Sequence, residues 1–562
     1  MHHHLSLRSK LIIMLSVMAS LFLVALDQTI IATALGRIVE EFNAFDSLSW
    51  IVTAYLITTT ITVPIAGKLS DLFGRKKILL IGVAVFAVGS LLSGLSGNIT
   101  ELIMWRALQG IGGGIITANA FTIVGDLFAA RERGRWQGLI GAVFGLSSVI
   151  GPLLGGWLTD GQAVFGLTTD WRWTFFINVP IGIIAFILIS IYSPSLKHAT
   201  RPVIDYLGAA LLAVILGVLI LAVDNTETIF AGLLEATGLT LEWLRVIMFS
   251  IVGAAIAGFI WVEKKASQPI LPLNFFKNRN FVLIMTIATL FGAAFMGSIL
   301  YLTQFNQQVF GATPTESGLM LLPMVGGLML TSITVGQIIS RIGRYKIFTQ
   351  IGFTVATIAM FMLSTLSPES TYGYEALIMV VLGMGMGVAM PVLNLAVQAE
   401  FEQKDLGVAT SSNQLFRSLG STVGTAVFGA MLTAGIVANI GAIQDTNYVK
   451  TLSQSEEVAR IGSLDDANTL LTINMPDIKA EITDGAKQSF ASLPVGVAEQ
   501  SESLFIDQQN EYADVVTHTF SDSLRRIFLV ASGLMVAATV MAFLLQERKL
   551  GEASAEVTPG EV

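Results

Sequence analysis

GKLSDLFGRKK, residues Gly67–Lys77, comes back at 336–346 as GQIISRIGRYK. Gly67 matches Gly336, Gly74 matches Gly343, Arg75 matches Arg344 and Lys77 matches Lys346, all at an offset of 269 residues. A weaker echo pairs Gly110, Gly112 and Gly114 with Gly383, Gly385 and Gly387. Each copy follows a run of about 20 apolar residues, the length of helix that crosses a bilayer core. The repeat therefore joins two related membrane-embedded halves, the plan on which many transporters build two bundles around a central site. It fails where charge matters: Asp71 becomes Ser340, and Arg106 has no basic counterpart near Met379. The first half is the one equipped to handle ions.

Around the two copies the chain is mostly apolar. Of 562 residues 53% are hydrophobic and 13% charged, against about 25% charged in an average soluble domain. Mean hydropathy is +0.71. So little charge cannot cover a soluble surface, and the composition is that of an all-α integral membrane protein. An isoelectric point near 5.3 offers no basic footprint for nucleic acid. The absence of Cys removes disulfides, thiolate catalysis and Cys-ligated metals. With three of the five His at the terminus, His198 and His518 lie too far apart in topology to share a metal. There is no phosphate-cradling Gly-Lys-Ser/Thr loop to support ATP drive, and no catalytic cluster at an interface. A cofactor-free non-enzyme is expected.

Fourteen apolar runs are long enough to span, at 11–35, 48–66, 78–96, 101–124, 136–159, 173–192, 205–222, 243–262, 281–303, 317–339, 347–366, 374–397, 410–437 and 524–545. The first is too long for a cleaved signal, contains Asp27 and lacks a small-residue cleavage site. With both ends on one side, the inner segments carry 21 of the 32 Lys and Arg, among them Arg8, Lys10, Lys76, Lys77, Arg131, Lys197, Arg201, Lys404 and Lys549. The outer loops between the first thirteen spans hold only Arg37 and the span-edge Arg172 and Arg245. The positive-inside rule puts both termini in the cytoplasm. The division is then 6+2+6: a six-helix bundle at 1–192, two additional spans with linkers at 193–280, and a second six-helix bundle at 281–562. One outer segment, 441–523, sits between spans thirteen and fourteen. It carries 14 acidic and 4 basic residues. It reads either as a solvated acidic cap, with helical patches such as Pro476 to Phe490 and an outward extension of the last span from Asn510, or as a docking surface for a partner outside the membrane.

Five stretches at matching spacing resemble the major facilitator superfamily, in its fourteen-span drug:proton antiporter branch. Gly67–Lys77 resembles its loop motif, Leu102–Gly114 (LIMWRALQGIGGG) its fourth-span motif and Gly145–Leu158 (GLSSVIGPLLGGWL) its fifth-span antiporter motif. Leu26–Leu35 (LDQTIIATAL) resembles the first-span motif, with Gly36 where Pro usually closes it, and Trp171–Gly182 (WRWTFFINVPIG) is similar to a sixth-span stretch of bacterial members. The resemblance covers residues 11–550 and implies the major facilitator fold with two pseudo-symmetric bundles. It further implies proton-coupled export of lipophilic or amphiphilic drugs or biocides, as in antibiotic-resistance efflux, through a multi-pass monomer of the bacterial plasma membrane.

The residues give that expectation a chemistry. Asp27 lies inside an otherwise apolar helix and is the one acid placed deep in any span, where a carboxylate needs a reason. Burial favours the neutral acid and a nearby cation the anion, so such a group can load and release a proton as its surroundings alternate. Arg106 is its natural partner: Asp27 lies about 12 Å from the outer end of its span and Arg106 about 8 Å. The competing reading has Arg106 snorkelling outward; the resemblance implies proton coupling. A single deep acid predicts neutral or monocationic cargo over dications. Asp71 and Arg75, four apart, can form an ion pair with Asp126 as a third member, while Gly67 and Gly74 permit close backbone approach. In the resembling family this cluster latches the two halves on the cytoplasmic side.

Gly141, Gly145, Gly151 and Gly155, with Gly156 beside them, predict a small-residue face for helix packing, and Pro152 a bend. Gln28, Tyr55, Asn119, Asn178, Gln304, Gln307, Asn394, Asn413 and Gln414 are candidate cavity liners or interhelical hydrogen-bonding groups. Arg417, a second cation at span depth, is either structural or substrate-orienting. Small lipophilic cargo, protons and membrane lipid are the expected partners. Export of a native lipid or secondary metabolite, and a non-transporting membrane sensor, are the alternatives.

Overall fold

The computed structural model describes residues 6–550 apart from 43–47, 160, 162, 165–166, 195–202, 224–225, 313, 454–463, 465–466, 475, 492–493 and 549. Lys197, Arg201, Lys549 and His198 lie outside the described residues. Among the described residues fourteen helices are long and apolar enough to span a membrane. They are α1 (Leu7–Phe42), α2 (Leu48–Phe73), α3 (Arg75–Gly94), α4 (Ile99–Leu127), α5 (Arg133–Thr159), α6 (Trp173–Tyr192) and α7 (Tyr206–Val223). Then follow α8 (Leu241–Glu263), α9 (Arg279–Val309), α10 (Leu322–Ile342), α11 (Lys346–Leu363), α12 (Tyr372–Glu400), α13 (Leu406–Val437) and α14 (Val495–Leu544).

Side-chain caps set several of the starts. Asn98 accepts from the Glu101 N–H at 2.9 Å to open α4, and Thr371 accepts from Tyr374 to open α12. Gly74 (φ 94°) and Gly343 (φ 73°) turn the chain between α2 and α3 and between α10 and α11, a conformation L side chains resist. This accounts for one of the repeated positions. Large apolar side chains such as Ile184, Ile191, Trp261, Leu330 and Phe361 point outward from the spans, as lipid contact requires.

The two halves pair their helices alike. α4 packs on α2 and α3 as α12 packs on α10 and α11; α1 packs on α5 and α6 as α9 packs on α13 and α14; α3–α6 recurs as α11–α14. The halves meet reciprocally, α5 against α10 and α12, α13 against α2 and α4. The additional pair, α7 and α8, pack on each other, and α7 leans on α2 and α13 through Leu212, Ile215, Leu216 and Leu415. This is the expected 6+2+6 arrangement, two pseudo-symmetric six-helix bundles with an additional pair. Both chain ends lie on one face: Lys10 sits over the Phe128 ring at the end of α4, and the Leu550 N–H donates to Gly343.

Three features depart from the sequence reading. A two-residue antiparallel hairpin, Ala163–Val164 with Leu167–Thr168, interrupts the all-helical pattern before α6. α6 breaks at Ile177 because Pro180 has no N–H to carry the first segment onward. The acidic segment carries the expected helix Pro476–Phe490, but the extension of the last span starts at Val495 and not near Asn510. α14 is 50 residues long, about 75 Å against a ~30 Å hydrocarbon core, so it projects far beyond the membrane. Short helices including Asn447–Leu452, Ala467–Thr472 and Pro476–Phe490 fold around its projecting half. Tyr448 packs against Phe505 and Tyr512 at ring distances of 5.4 and 5.1 Å, and Gln509 donates to the Tyr448 hydroxyl at 3.0 Å. The cap rests on the end of α9, where Asn474 donates to Gln308 at 3.3 Å.

Candidate functional site

Asp27, in the middle of α1, is 1% exposed and faces α4 and α6. Arg106 Nη1 lies 2.5 Å from Asp27 Oδ2, and Gln109 Nε2 donates to Oδ1 at 2.8 Å. Arg106 Nη1 also donates to Gln109 Oε1 at 2.9 Å, and Nε to the Ile51 carbonyl at 3.4 Å. Asn178 reaches Asp27 Oδ1 at 3.5 Å and Ser90 Oγ at 3.0 Å. The Tyr55 ring lies 4.3 Å from the guanidinium carbon and the Phe175 ring 5.7 Å. The carboxylate is dry, paired and hydrogen-bonded, the conditions under which a buried charge is tolerated and its release is costly. Gln109 and Ser90 were not singled out in the sequence; Gln109 lies one turn after Arg106 on the same face of α4. Tyr55 and Asn178, expected as cavity liners, are instead buried walls of this cluster.

Asp27 lies deep in its span, but it is not the one buried acid among the described residues. Glu375, in the first turn of α12, is 0% exposed. Asn306, its amide turned nitrogen-inward, donates to both carboxylate oxygens at 2.8 and 2.9 Å. It escaped the sequence reading because it stands one residue inside the expected limit of that span.

On the face that carries the chain ends, the loop motif joins the halves. Arg75 pairs with Asp71, donates to Ser70 Oγ and lies 3.0 Å from Asp126 Oδ2. Asp71 in turn accepts from the backbone N–H groups of Gly407 at 3.2 Å and Val408 at 2.9 Å, the open N-terminus of α13. Gln403 donates to Asp126 at 2.6 Å, and Gln398 to the Phe121 carbonyl at 3.1 Å. A Cβ on Gly67 would run into Ser411, and one on Gly336 into the Gly134 carbonyl. The matched glycines are thus the two pseudo-symmetric crossings, α2–α13 and α10–α5. Arg344, matched to Arg75, is exposed.

The glycines of α5 do not share one face. Gly141 and Gly145 meet Ser332, Leu328 and Met329 of α10, whereas Gly151 and Gly155 meet Thr29, Ile30 and Thr33 of α1. The six-residue step from 145 to 151 turns the helix by about 240° at 3.6 residues per turn. A Cβ on Gly156 would meet nothing within 4 Å, so it is no packing position. Pro152 lies within a continuous α5 and touches the Gly318 region.

The remaining candidate liners separate. Gln28 is exposed, and Gln304 and Gln307 are half-buried toward the far end of α9. Asn119 is buried, its amide donating to its own helix at Ile115. Four residues are brought together: Asn394 Oδ1 accepts from Asn413 at 2.9 Å and Gln414 at 3.3 Å, and Gln414 Oε1 accepts from Arg417 at 2.6 Å. The Phe144 ring of α5 faces that guanidinium at 6.0 Å. Among the described residues no three or more His, Cys, Asp and Glu form a metal-binding group.

The model of the Major Facilitator Superfamily matches residues 17–425. Multidrug transporter protein MdtP of Bacillus subtilis is 39% identical over 416 residues, 74% of each chain. Multidrug resistance protein 3 of the same organism is 36% identical, covering 75% of this chain and 79% of its own. An uncharacterized MFS-type transporter of Mycobacterium tuberculosis is 36% identical, over 95% of this chain and 69% of its own. Among solved structures, the proton:xylose symporter XylE bound to 6-bromo-6-deoxy-D-glucose superposes with a TM-score of 0.59 at 14% identity, covering 96% of both chains. With its paired bundles and its relatives agreeing, the chain belongs to the Major Facilitator Superfamily of membrane transporters.

Proposed function

We propose that the protein is a proton-coupled antiporter that exports lipophilic or amphiphilic compounds across the plasma membrane, with both termini cytoplasmic and one chain as the working unit. The reading rests on one observation above others: a carboxylate in mid-membrane, closed off from water and held by a guanidinium. A proton reaches Asp27 only if Arg106 and Gln109 release it. Arg106 and Tyr55, which wall that pocket, stand on α4 and α2, the helices that also pack on α13 of the other half, and this couples proton loading to the rocking of the bundles.

The second support is the latch. Asp71 joins its own half, through Arg75 and Asp126, to the N-terminus of α13 in the other half. Rocking the halves apart on this face breaks those bonds, and re-closing restores them, so the latch sets the balance between inward-open and outward-open states. The Gly67 and Gly336 crossings let the backbones meet closely enough for that face to seal. The names of the Bacillus relatives, a multidrug transporter protein and a multidrug resistance protein, fit this cycle. The test is dye efflux from proteoliposomes under an imposed proton gradient. Efflux should follow the gradient and vanish on its collapse, and equal rates with and without a gradient would refute the proposal.

A further inference from the structure

Among the described residues each buried or half-buried arginine is met by a carboxylate or by backbone carbonyls, with one exception. Arg106 has Asp27, Arg75 has Asp71 and Asp126, and Arg133 donates to the carbonyls of Gly125 and Phe128. Arg417 has a neutral partner, Gln414 Oε1 at 2.6 Å, and no carboxylate acts on it among the described residues. It stands eleven residues into α13, about 17 Å along the helix, near the middle of a ~30 Å core. It also stands in the seam between the halves. Its neighbour Ser418 lies 3.4 Å from Thr60 of α2, and Phe144 of α5, which packs on the cores of both halves, faces its guanidinium.

The amides around it are directed. Asn413 and Gln414 both spend their N–H groups on Asn394 Oδ1, which turns Gln414 Oε1 toward the guanidinium and holds it in place without supplying negative charge. A guanidinium has five N–H donors in a planar fork suited to a carboxylate, and here one contact is satisfied by protein. The flat wall of Phe144 adds an apolar surface beside it. Asp27 offers nothing comparable to a cationic ligand, because its oxygens are already engaged inside a dry pocket.

We propose that Arg417, held by Gln414, Asn413 and Asn394 against Phe144, receives an anionic headgroup of the cargo, so that lipophilic carboxylates and sulfonates are recognised in preference to uncharged or cationic amphiphiles. This rests on the export reading and names its substrate class. It replaces the preference for monocationic cargo that a lone deep acid suggested. One anion leaving against one entering proton moves two elementary charges per cycle, so transport of such cargo responds to membrane potential as well as to pH.

The test is binding of 11-(dansylamino)undecanoic acid and of its carboxamide to the purified full-length protein in nanodiscs at neutral pH, without any gradient. Wild type should bind the carboxylate about 10- to 100-fold more tightly, the range expected when a hydrogen-bonded charge is met. Arg417→Met should bring that ratio to near one while leaving carboxamide affinity within about twofold, the pattern of a lost charge contact and not of a lost fold. Arg417→Lys, which keeps the charge and loses the fork, should fall between. A wild-type ratio near one overturns the proposal without any variant, as does an equal loss of both probes in Arg417→Met. Efflux in proteoliposomes is read separately: its absence for every probe refutes export, whereas the binding ratio alone decides the role of Arg417.

Discussion

The two bundles share helix pairing but not charge. In the first, Arg106 of α4 is sealed against Asp27, Gln109 and the Tyr55 ring, and its pocket is closed to water. In the second, the position corresponding to Arg106 is Met379, and the deep cation is Arg417 of α13, half-buried in the seam with a neutral amide for company. One guanidinium is neutralised inside the protein by a buried carboxylate; the other has a neutral amide oxygen as its partner. Repeating a fold is inexpensive, because packing tolerates substitution as long as small residues stay at the crossings. Dividing the chemistry between the copies requires that the charges diverge.

The largest effect should come from breaking the closed pair. Arg106→Met leaves Asp27 buried with neutral donors alone, which should cost about 3–5 kcal/mol and eliminate gradient-driven efflux; thermal unfolding in mild detergent and proteoliposome flux check the two parts. Next is the latch. Asp71→Asn removes the anion from the N-terminus of α13, an interaction of roughly 0.3–2 kcal/mol, and should slow turnover about tenfold while cargo affinity changes less than about twofold. Parallel loss of binding and turnover would remove the mechanical role.

A pair of glycines sharpens the contrast between crossing and surface. Gly67→Ala drives a methyl into Ser411 and should destabilise the closed state by about 1–3 kcal/mol. Gly156→Ala meets open space and should shift stability by less than about 0.5 kcal/mol. Melting temperatures of the two variants side by side decide it. A small, pH-dependent effect belongs to the end of α1, where Arg172 at 2.8 Å holds the Glu41 carboxyl below the usual carboxylate range. A lowered acid stabilises fully above its unfolded-state value and loses that contribution as the pH falls through the folded-state value. Glu41→Gln should therefore cost no more than about 1 kcal/mol at neutral pH, since the pair is solvent-exposed, and nothing in strong acid. Melting curves at both pH values check the sign.

Much of this was legible before any coordinates. Apolar runs of spanning length give the helices, and Lys/Arg placement predicts the topology. Depth along two helices was enough to match Asp27 with Arg106, because both rise at a fixed distance per residue. Rotation about the helix axis was not legible. That is why Tyr55 and Asn178 turned out to wall the Asp27 pocket, and why Gly145 and Gly151 serve different neighbours. The donors to the Asp71 carboxylate escaped because backbone N–H groups at Gly407 and Val408 leave no side-chain signature. The helical patches of the cap were legible, but its packing around α14 was not, because its aromatic contacts, Tyr448 with Phe505 and Tyr512, join residues far apart in a polar stretch.

Asp27→Asn keeps the size of the side chain and one acceptor oxygen, and removes its charge and its ability to exchange a proton. Reconstituted in proteoliposomes with an inward proton gradient, the variant should insert and bind a lipophilic dye as wild type does, yet show no gradient-driven efflux. Efflux by Asp27→Asn at the wild-type, gradient-dependent rate would contradict proton coupling through this residue.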